Sequence, residues 1–399
     1  MKIKSWLAAA FSSAAMLAIQ PAAVNAAEVG VTDTEVSIGL FGPMSGQLAA
    51  FGFDPVQAAK MWFDETNKKG GIHGRKIKVL VEDDKCTPAE AVSVVKKFVT
   101  VDNTFIVHGG SCSAAAVAVQ EFVTREKVPM VMLNAAGDVA VFPPTRYVFG
   151  AFGGTQRAVG GTIMEFAING LKGKKIAYIA HDDDFGNANF AAAKATADRL
   201  GAQLVAVERL SPGITDVTAP LLKVRAANPD VIISTAYPAP TLLITQKYAE
   251  FGMTKTPLVV AVQGIPVPAT FARNIANDAA LVNFYYGSPL NDLTDGPKQQ
   301  KWLALYKQYY PDRTPGAFMT YGLPSAMAIT RALERVGRDL TREKFITAME
   351  ATNFDSEVLA GPTVFGADRR DGMRSSVFIK FDGKTHSLMP GSHTWNGAM

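Results

Sequence analysis

The stretch VSIGLFGPMSGQLAAFGFDPVQAAKMWFDETNKKGGIHGRKIKVLV, residues 36–81, holds the unit from which the fold is read. Val36–Leu40 is a short apolar run and reads as a buried strand. Asp54 followed by Pro55 reads as a helix start: a carboxylate can accept a free first-turn N–H, and proline has none to leave unpaired. Val56, Ala59 and Phe63 then fall on one helical face, with Trp62 alongside. Gly70-Gly71 ends the helix, because glycine tolerates the left-handed conformation of a helix end. Ile77–Val81 is the next strand.

The same strand-helix alternation continues outward. A helix is expected over Ala89–Val99, a strand at Phe105–Val107, a helix starting after Ser113 and a strand at Met130–Leu133. The pattern restarts with a helix over about Gln156–Asn169, then strands at Ile176–Ile179, Leu204–Val207, Val231–Ile233 and Leu258–Val260, each separated by a helix. Alternation of this kind predicts an α/β fold of two doubly wound parallel-sheet lobes, with helices on both faces of each sheet. The boundary is expected near Gly150, where Gly153 and Gly154 follow. After about Tyr286 come a loop with Pro and Gly, helices at Pro297–Tyr309 and Pro324–Val336, and a final strand at Val377–Phe381. These late elements are too few for a third domain and are expected to join the first two.

The first residues read as a secretory leader. Lys2 and Lys4 precede an apolar run from Trp6 to Ile19, interrupted by Ser12 and Ser13. Pro21 and Val24-Asn25-Ala26-Ala27 follow, a site of small residues with cleavage expected after Ala26. A membrane anchor would need roughly 20 apolar residues. The expectation is therefore an exported, soluble protein in an oxidising compartment, the periplasm. The formal charge of +4 falls to +2 once Lys2 and Lys4 are removed, which gives no electrostatic case for nucleic acid. Cys86 and Cys112 are the only cysteines. In an exported chain an isolated pair reads as one disulfide, worth about 3–4 kcal/mol in the chain-entropy model, with two free thiols as the alternative.

In doubly wound sheets ligands bind beyond the carboxyl ends of the strands. The loops after Leu40, Val107, Leu133, Ile179, Ile233 and Val260 carry little catalytic equipment. G-x-S-x-G, G-x-x-x-x-G-K-[ST] and H-E-x-x-H are all absent. The five histidines, His73, His108, His181, His386 and His393, are scattered. Asp83-Asp84 and Asp182-Asp183-Asp184 read as caps and turn formers more readily than as metal ligands. No metal or cofactor is expected, and no enzyme. Ser113, at a helix start, offers a hydroxyl beside free amides and would suit a carboxylate, although a plain N-cap accounts for it equally well. Phe51, Phe185 and Tyr237, on three separate ligand-side loops, suit a half-apolar pocket.

With these residues assembled, the chain resembles the branched-chain amino acid binding proteins of ATP-driven transporters over nearly all of its length after the leader. Gly42-Pro43-Met44-Ser45-Gly46, Gly70-Gly71-Ile72-His73-Gly74-Arg75-Lys76-Ile77, Asp83-Asp84-Lys85-Cys86, Gly110-Ser111-Cys112-Ser113, His181-Asp182, Phe185-Gly186 and Gly361-Pro362 carry the resemblance in order. It implies a type I periplasmic binding fold with three crossover strands and a Cys86–Cys112 bond. The first lobe would span 27–150 and 286–374, and the second 151–285 and 375–399, with 1–26 as leader.

The resemblance also implies a site. Ser113 matches the carboxylate-binding serine, and Ala135 and Ala136 match residues that present backbone groups to an amino acid head. Gly137 replaces a threonine. Phe51 and Phe185 each stand where the family has tyrosine, and Tyr237 matches a third aromatic. Gln263 replaces the acidic partner of the ligand ammonium, a bond worth about 1.5–3 kcal/mol, or one to two decades of affinity. Asp138 could supply a substitute charge. The implied function is a solute-binding protein that delivers an amino acid or small carboxylate to a membrane permease, as a monomer. An aromatic or other hydrophobic acid is the alternative ligand, and a ligand-sensing receptor domain the alternative role.

Overall fold

The computed structural model describes residues 28–397, apart from 47, 136, 153–154, 212, 262–270, 273, 276–277, 294–295, 317 and 382–384. The leader, Ala136, Gln263, Gly153 and Gly154 thus lie outside the described residues.

The first half opens with β1 (Glu35–Gly42), α1 (Phe53–Lys68), β2 (Lys76–Asp83), α2 (Pro88–Thr100), β3 (Ile106–Gly109), α3 (Ser113–Arg125), β4 (Met130–Met132) and β5 (Val148–Gly150). The strands form a parallel sheet in the order β2-β1-β3-β4-β5. Both faces are covered, and side chains alternate between them as a pleated strand requires. Ile106 and Val131 point into one core with Val36, Ile38 and Leu40. Val107, Met130 and Met132 point into the other, against α2 and α3.

The second half runs α4 (Gln156–Glu165), β6 (Lys175–His181), α5 (Asp184–Leu200), β7 (Gln203–Leu210), α6 (Thr218–Ala226), β8 (Val231–Thr235), α7 (Pro238–Glu250), β9 (Leu258–Val260) and β10 (Phe284–Ser288). The tail adds α8 (Pro297–Tyr309), α9 (Leu323–Val336), α10 (Arg342–Glu350), a small β11–β12 pair (Asn353–Phe354, Thr363–Val364), β13 (Ser375–Phe381), β14 (His386–Leu388) and β15 (His393–Thr394). The second sheet has the order β14-β13-β10-β9-β8-β6-β7. Its β10–β13 and β13–β14 pairs are antiparallel and the others on that path parallel. Trp302, Tyr306, Leu333 and Phe345 of the late helices belong to the first-sheet core. Ile379 and Phe381 of β13 belong to the second. The fold is the expected α/β one, with two mainly parallel sheets.

Three passages of chain link the sheets. Gly150 leads from β5 toward α4, and its N–H and C=O bond to Arg370 and Gly372 of the third passage at 2.8 and 2.7 Å. The second passage follows β10, where Asn291 N–H donates to Val358 and Ala360 N–H to Pro289.

Several local departures have clear causes. α1 begins at Phe53 behind Gly52, and Asp54 does not cap it. Its carboxylate instead accepts from the Tyr306 hydroxyl at 2.6 Å and the Gly316 N–H at 2.8 Å, tying the tail to the first lobe. A long-range pairing has overridden a local one. β5 was not foreseen because it is only three residues long and follows Pro143-Pro144. Elsewhere local signals hold. Thr87, Asp183 and Thr341 cap α2, α5 and α10 through their side chains, and Gly70 and Gly71 take φ of 109° and 77° after α1. Among the described residues no helix is long and apolar enough to cross a membrane.

Candidate functional site

The carboxyl ends of β1, β2 and β3 build one wall. Asp83 organises the opening loop: its carboxylate accepts from Met44 N–H at 2.9 Å and from the Ser45 hydroxyl at 2.5 Å. Next to it Asp84, fully buried, accepts from Cys86 N–H at 2.9 Å. Burial pushes the Asp84 carboxyl up. Lys85 and Cys86 are left-handed, with φ of 48° and 62°, a conformation that non-glycine residues adopt only when held. Cys86 is bonded to Cys112, with Cα atoms 5.5 Å apart. Cys112 is the N-cap of α3 and makes no side-chain capping bond. The disulfide therefore fixes the start of the helix whose first residue is Ser113.

Ser113 accepts a hydrogen bond from Gly137 N–H at 2.9 Å. Its own hydroxyl proton is left to donate, alongside the first-turn amides of α3. A Cβ on Gly137 would sit 2.8 Å from Ser113 Cβ and 2.9 Å from its Oγ. Glycine is thus needed for this approach, and the family's threonine would not fit without displacing Ser113. Ala135 is buried, and its N–H is already donated to Gly110 at 3.1 Å. Asn134 donates to the Phe51 carbonyl at 3.0 Å, which joins Phe51 to this wall. Phe51 is 41 % exposed and stacks on Phe318 with ring centroids 5.1 Å apart. Phe318 in turn meets Tyr321 edge-on, and Tyr321 stacks on Phe152.

The second wall comes from the ends of β6 and β8. Phe185 stacks on Tyr237 at 4.9 Å, with 20° between the rings. Tyr237 is 40 % exposed, at the N-cap of α7. Burial and the neighbouring Asp183 carboxylate push its phenol up to about 12. His181 lies 4.4 Å from the Tyr237 ring and is buried, and neither ring nitrogen makes a hydrogen bond. Burial lowers its pKa, against the pull of Asp183. A Cβ on Gly186 would strike the His181 carbonyl at 2.0 Å, so the Phe185-Gly186 pair is sterically set.

Asp138 stands where the walls approach the first crossover. It is 7 % exposed. Its N–H donates to Gln156 Oε1 at 2.7 Å, its Oδ1 accepts from Arg157 N–H at 3.3 Å, and its Oδ2 lies 3.4 Å from Arg157 Nε. Burial raises its pKa to about 6, with Arg157 pulling it down and Asp371 adding like-charge repulsion. Its charge is therefore engaged by the start of α4.

The structure thus groups Ser113, Gly137, Ala135 and Phe51 on one wall, and Phe185 with Tyr237 on the other. Sequence reasoning missed Phe318, Asn134 and Arg157. Phe318 sits in the tail, far from any strand end, and its role emerges only from packing. Among the described residues no cluster fit for a metal ion occurs. A cavity of about 410 Å³ is lined by Arg331, Glu334, Arg335, Thr352, Asn353 and Phe354 and contains none of the candidate residues.

A family model described as periplasmic binding protein matches residues 35–385. The chain is 31% identical over 207 residues to an amino acid binding protein of Pseudomonas aeruginosa, covering 50% of this chain and 53% of that one. The match thus spans about half the length of that curated relative. A solved ABC transporter substrate-binding protein from Sphaerobacter thermophilus superposes with a TM-score of 0.76 at 18% identity, covering 90% of this chain and 98% of that one. A solute binding protein of an R. palustris ABC transporter, solved in complex with benzoate, gives 0.67 at 18% identity, covering 92% and 98%.

Proposed function

This chain belongs to the periplasmic binding protein family, and from that premise we propose that it captures a small amino acid or organic carboxylate between its two lobes and delivers it to the membrane permease of an ATP-driven importer. The observation that carries the reading is the wall at Ser113. A hydroxyl free to donate, the first turn of a 13-residue helix and a clamped N-cap converge there. Free amides and the helix dipole both favour an anion at such a place. The role is binding without chemical conversion, in the periplasm after removal of residues 1–26. Mass spectrometry of the small molecules released on denaturing the freshly purified protein tests it. A stoichiometric amino acid or carboxylate is expected, and an empty protein that binds no member of either class would overturn the reading.

A second ligand class has its own support. Two stacked aromatic pairs, Phe51–Phe318 and Phe185–Tyr237, stand one on each lobe. Flat apolar walls of this kind suit a planar ring. Gln263 in place of an acid lessens the advantage of an ammonium group, and a relative of the same fold holds benzoate. An aromatic acid is therefore the favoured alternative to a leucine-like amino acid.

A further inference from the structure

We propose that Asp138 reads the charge of the ligand's head group: capture of a simple carboxylate at Ser113 is coupled to uptake of a proton on Asp138. The inference rests on the functional reading above, and deepens it.

Gly137 donates its N–H to Ser113 Oγ at 2.9 Å, and Asp138 is the next residue. Ser113, the candidate anion site, is thus bonded to the residue that adjoins a second carboxylate, itself 7 % exposed. Asp138 cannot fully meet the field of an anion at Ser113. Its Oδ2 has no hydrogen-bond donor, and Arg157 Nε, 3.4 Å away, makes no hydrogen bond either. Arg157 faces it from the start of α4 and Asp371 from the third crossover. Asp371 is itself held by Arg374, through contacts of 2.5 and 2.8 Å. Gln156 contributes only an amide oxygen, to the Asp138 N–H. Asp138 already ionises near pH 6. A nearby negative charge in a poorly hydrated cleft makes its ionised form costlier still, so the proton is taken up as the anion enters. An ammonium group in the same place would do the reverse and drive a proton off.

The sign of the pH effect follows by linkage. A simple acid with an ordinary carboxyl pKa stays ionised between pH 5.5 and 7.5. Its affinity should rise as pH falls across that interval, by roughly three- to tenfold for a shift of about one pKa unit.

The test is calorimetry at pH 6.5 with benzoate, the deaminated analogue of leucine, and leucine. Each is run in buffers of different ionisation enthalpy, so that the buffer dependence of the heat counts protons. Roughly 0.3–0.5 proton should be taken up per simple acid bound. Asp138→Asn should take up none and bind with an affinity that no longer varies with pH, which separates Asp138 from His181 as the proton's acceptor. Arg157→Met removes the cation of Arg157 beside Asp138, and should move the maximum of uptake to higher pH. That shift keeps the idea testable if Asp138→Asn does not fold. Binding of a simple acid with no proton change, or uptake that survives in Asp138→Asn, would overturn the inference and leave the functional reading standing. Leucine, which carries an ammonium as well, should take up fewer protons than its deaminated analogue or release them, and Asp138→Asn should abolish the difference; equal uptake by the two ligands would overturn the inference. No binding of any of the three would overturn both.

Discussion

Ser113 and Gly137 work as one unit, and two substitutions separate their parts. Ser113→Ala removes the donor to the anion and should weaken a carboxylate ligand by about 1–3 kcal/mol, measured by calorimetry. Gly137→Thr would restore the family's residue, yet a Cβ there meets Ser113 at 2.8 Å. Overpacking of this kind costs about 1–3 kcal/mol. The threonine should therefore weaken binding about tenfold or more, where family logic alone predicts a gain. Two buried groups also give the fold opposite acid responses. His108, with its Nδ1 2.8 Å from the Val131 carbonyl, is pushed down to about 4 by burial. The unfolded chain takes up that proton first, so the contribution of neutral His108, about 3 kcal/mol, is lost as pH falls from about 6.5 toward 4. Asp138 is raised to about 6, so the folded chain holds its proton more tightly, and stability falls as pH rises through that value. Asp138→Asn should accordingly raise the thermal midpoint at pH 8 and leave it nearly unchanged at pH 4. A destabilised variant at pH 8 would show that the Arg157 contact outweighs the burial cost.

At the level of elements, the disulfide closes a loop of 26 residues between the end of β2 and the start of α3. The chain-entropy model assigns it about 3.5 kcal/mol. Cys86→Ser with Cys112→Ser should lower urea-melt stability by that order, and should also loosen Ser113. Carboxylate affinity of the double variant should fall even where it is fully folded; unchanged affinity would mean that α3 holds Ser113 unaided. Much of this element pattern was legible in the sequence. Strands β6, β8 and β9 are largely apolar runs, because parallel strands are buried on both faces. The placement of Ser113, Phe185 and Tyr237 just beyond β3, β6 and β8 was legible, because the loops at strand ends are where a ligand is sought in such sheets. What escaped depended on distant partners. Asp54 has the local form of a cap but bonds to Tyr306, 252 positions away. Phe318 meets Phe51 only because the tail folds back. Asp138 stood out in the sequence only as a substitute charge, and its contact with Arg157, 19 positions on, emerges only from the fold.

For the whole molecule, three passages join two separately cored sheets, and the two candidate walls lie one on each lobe. A ligand that touches both walls favours a closed arrangement through contacts it lacks when the lobes part. Small-angle scattering with a verified ligand at saturation should show a smaller radius of gyration than without it; an unchanged value would argue that the lobes are fixed. The passages also interleave the chain in a way that reaches back to its birth. The face of the first sheet carrying Val36, Ile38 and Leu40 is completed by Trp302, Tyr306, Leu333 and Phe345. A chain emerging from its amino end can cover that apolar face only in part, with Val56, Ala59 and Phe63 of α1, until Trp302, Tyr306, Leu333 and Phe345 arrive. The second lobe's parallel strands can pair in the meantime, but the first lobe waits. A fragment ending near residue 290 should collect as aggregate even though most of the sequence of both sheets is present in it.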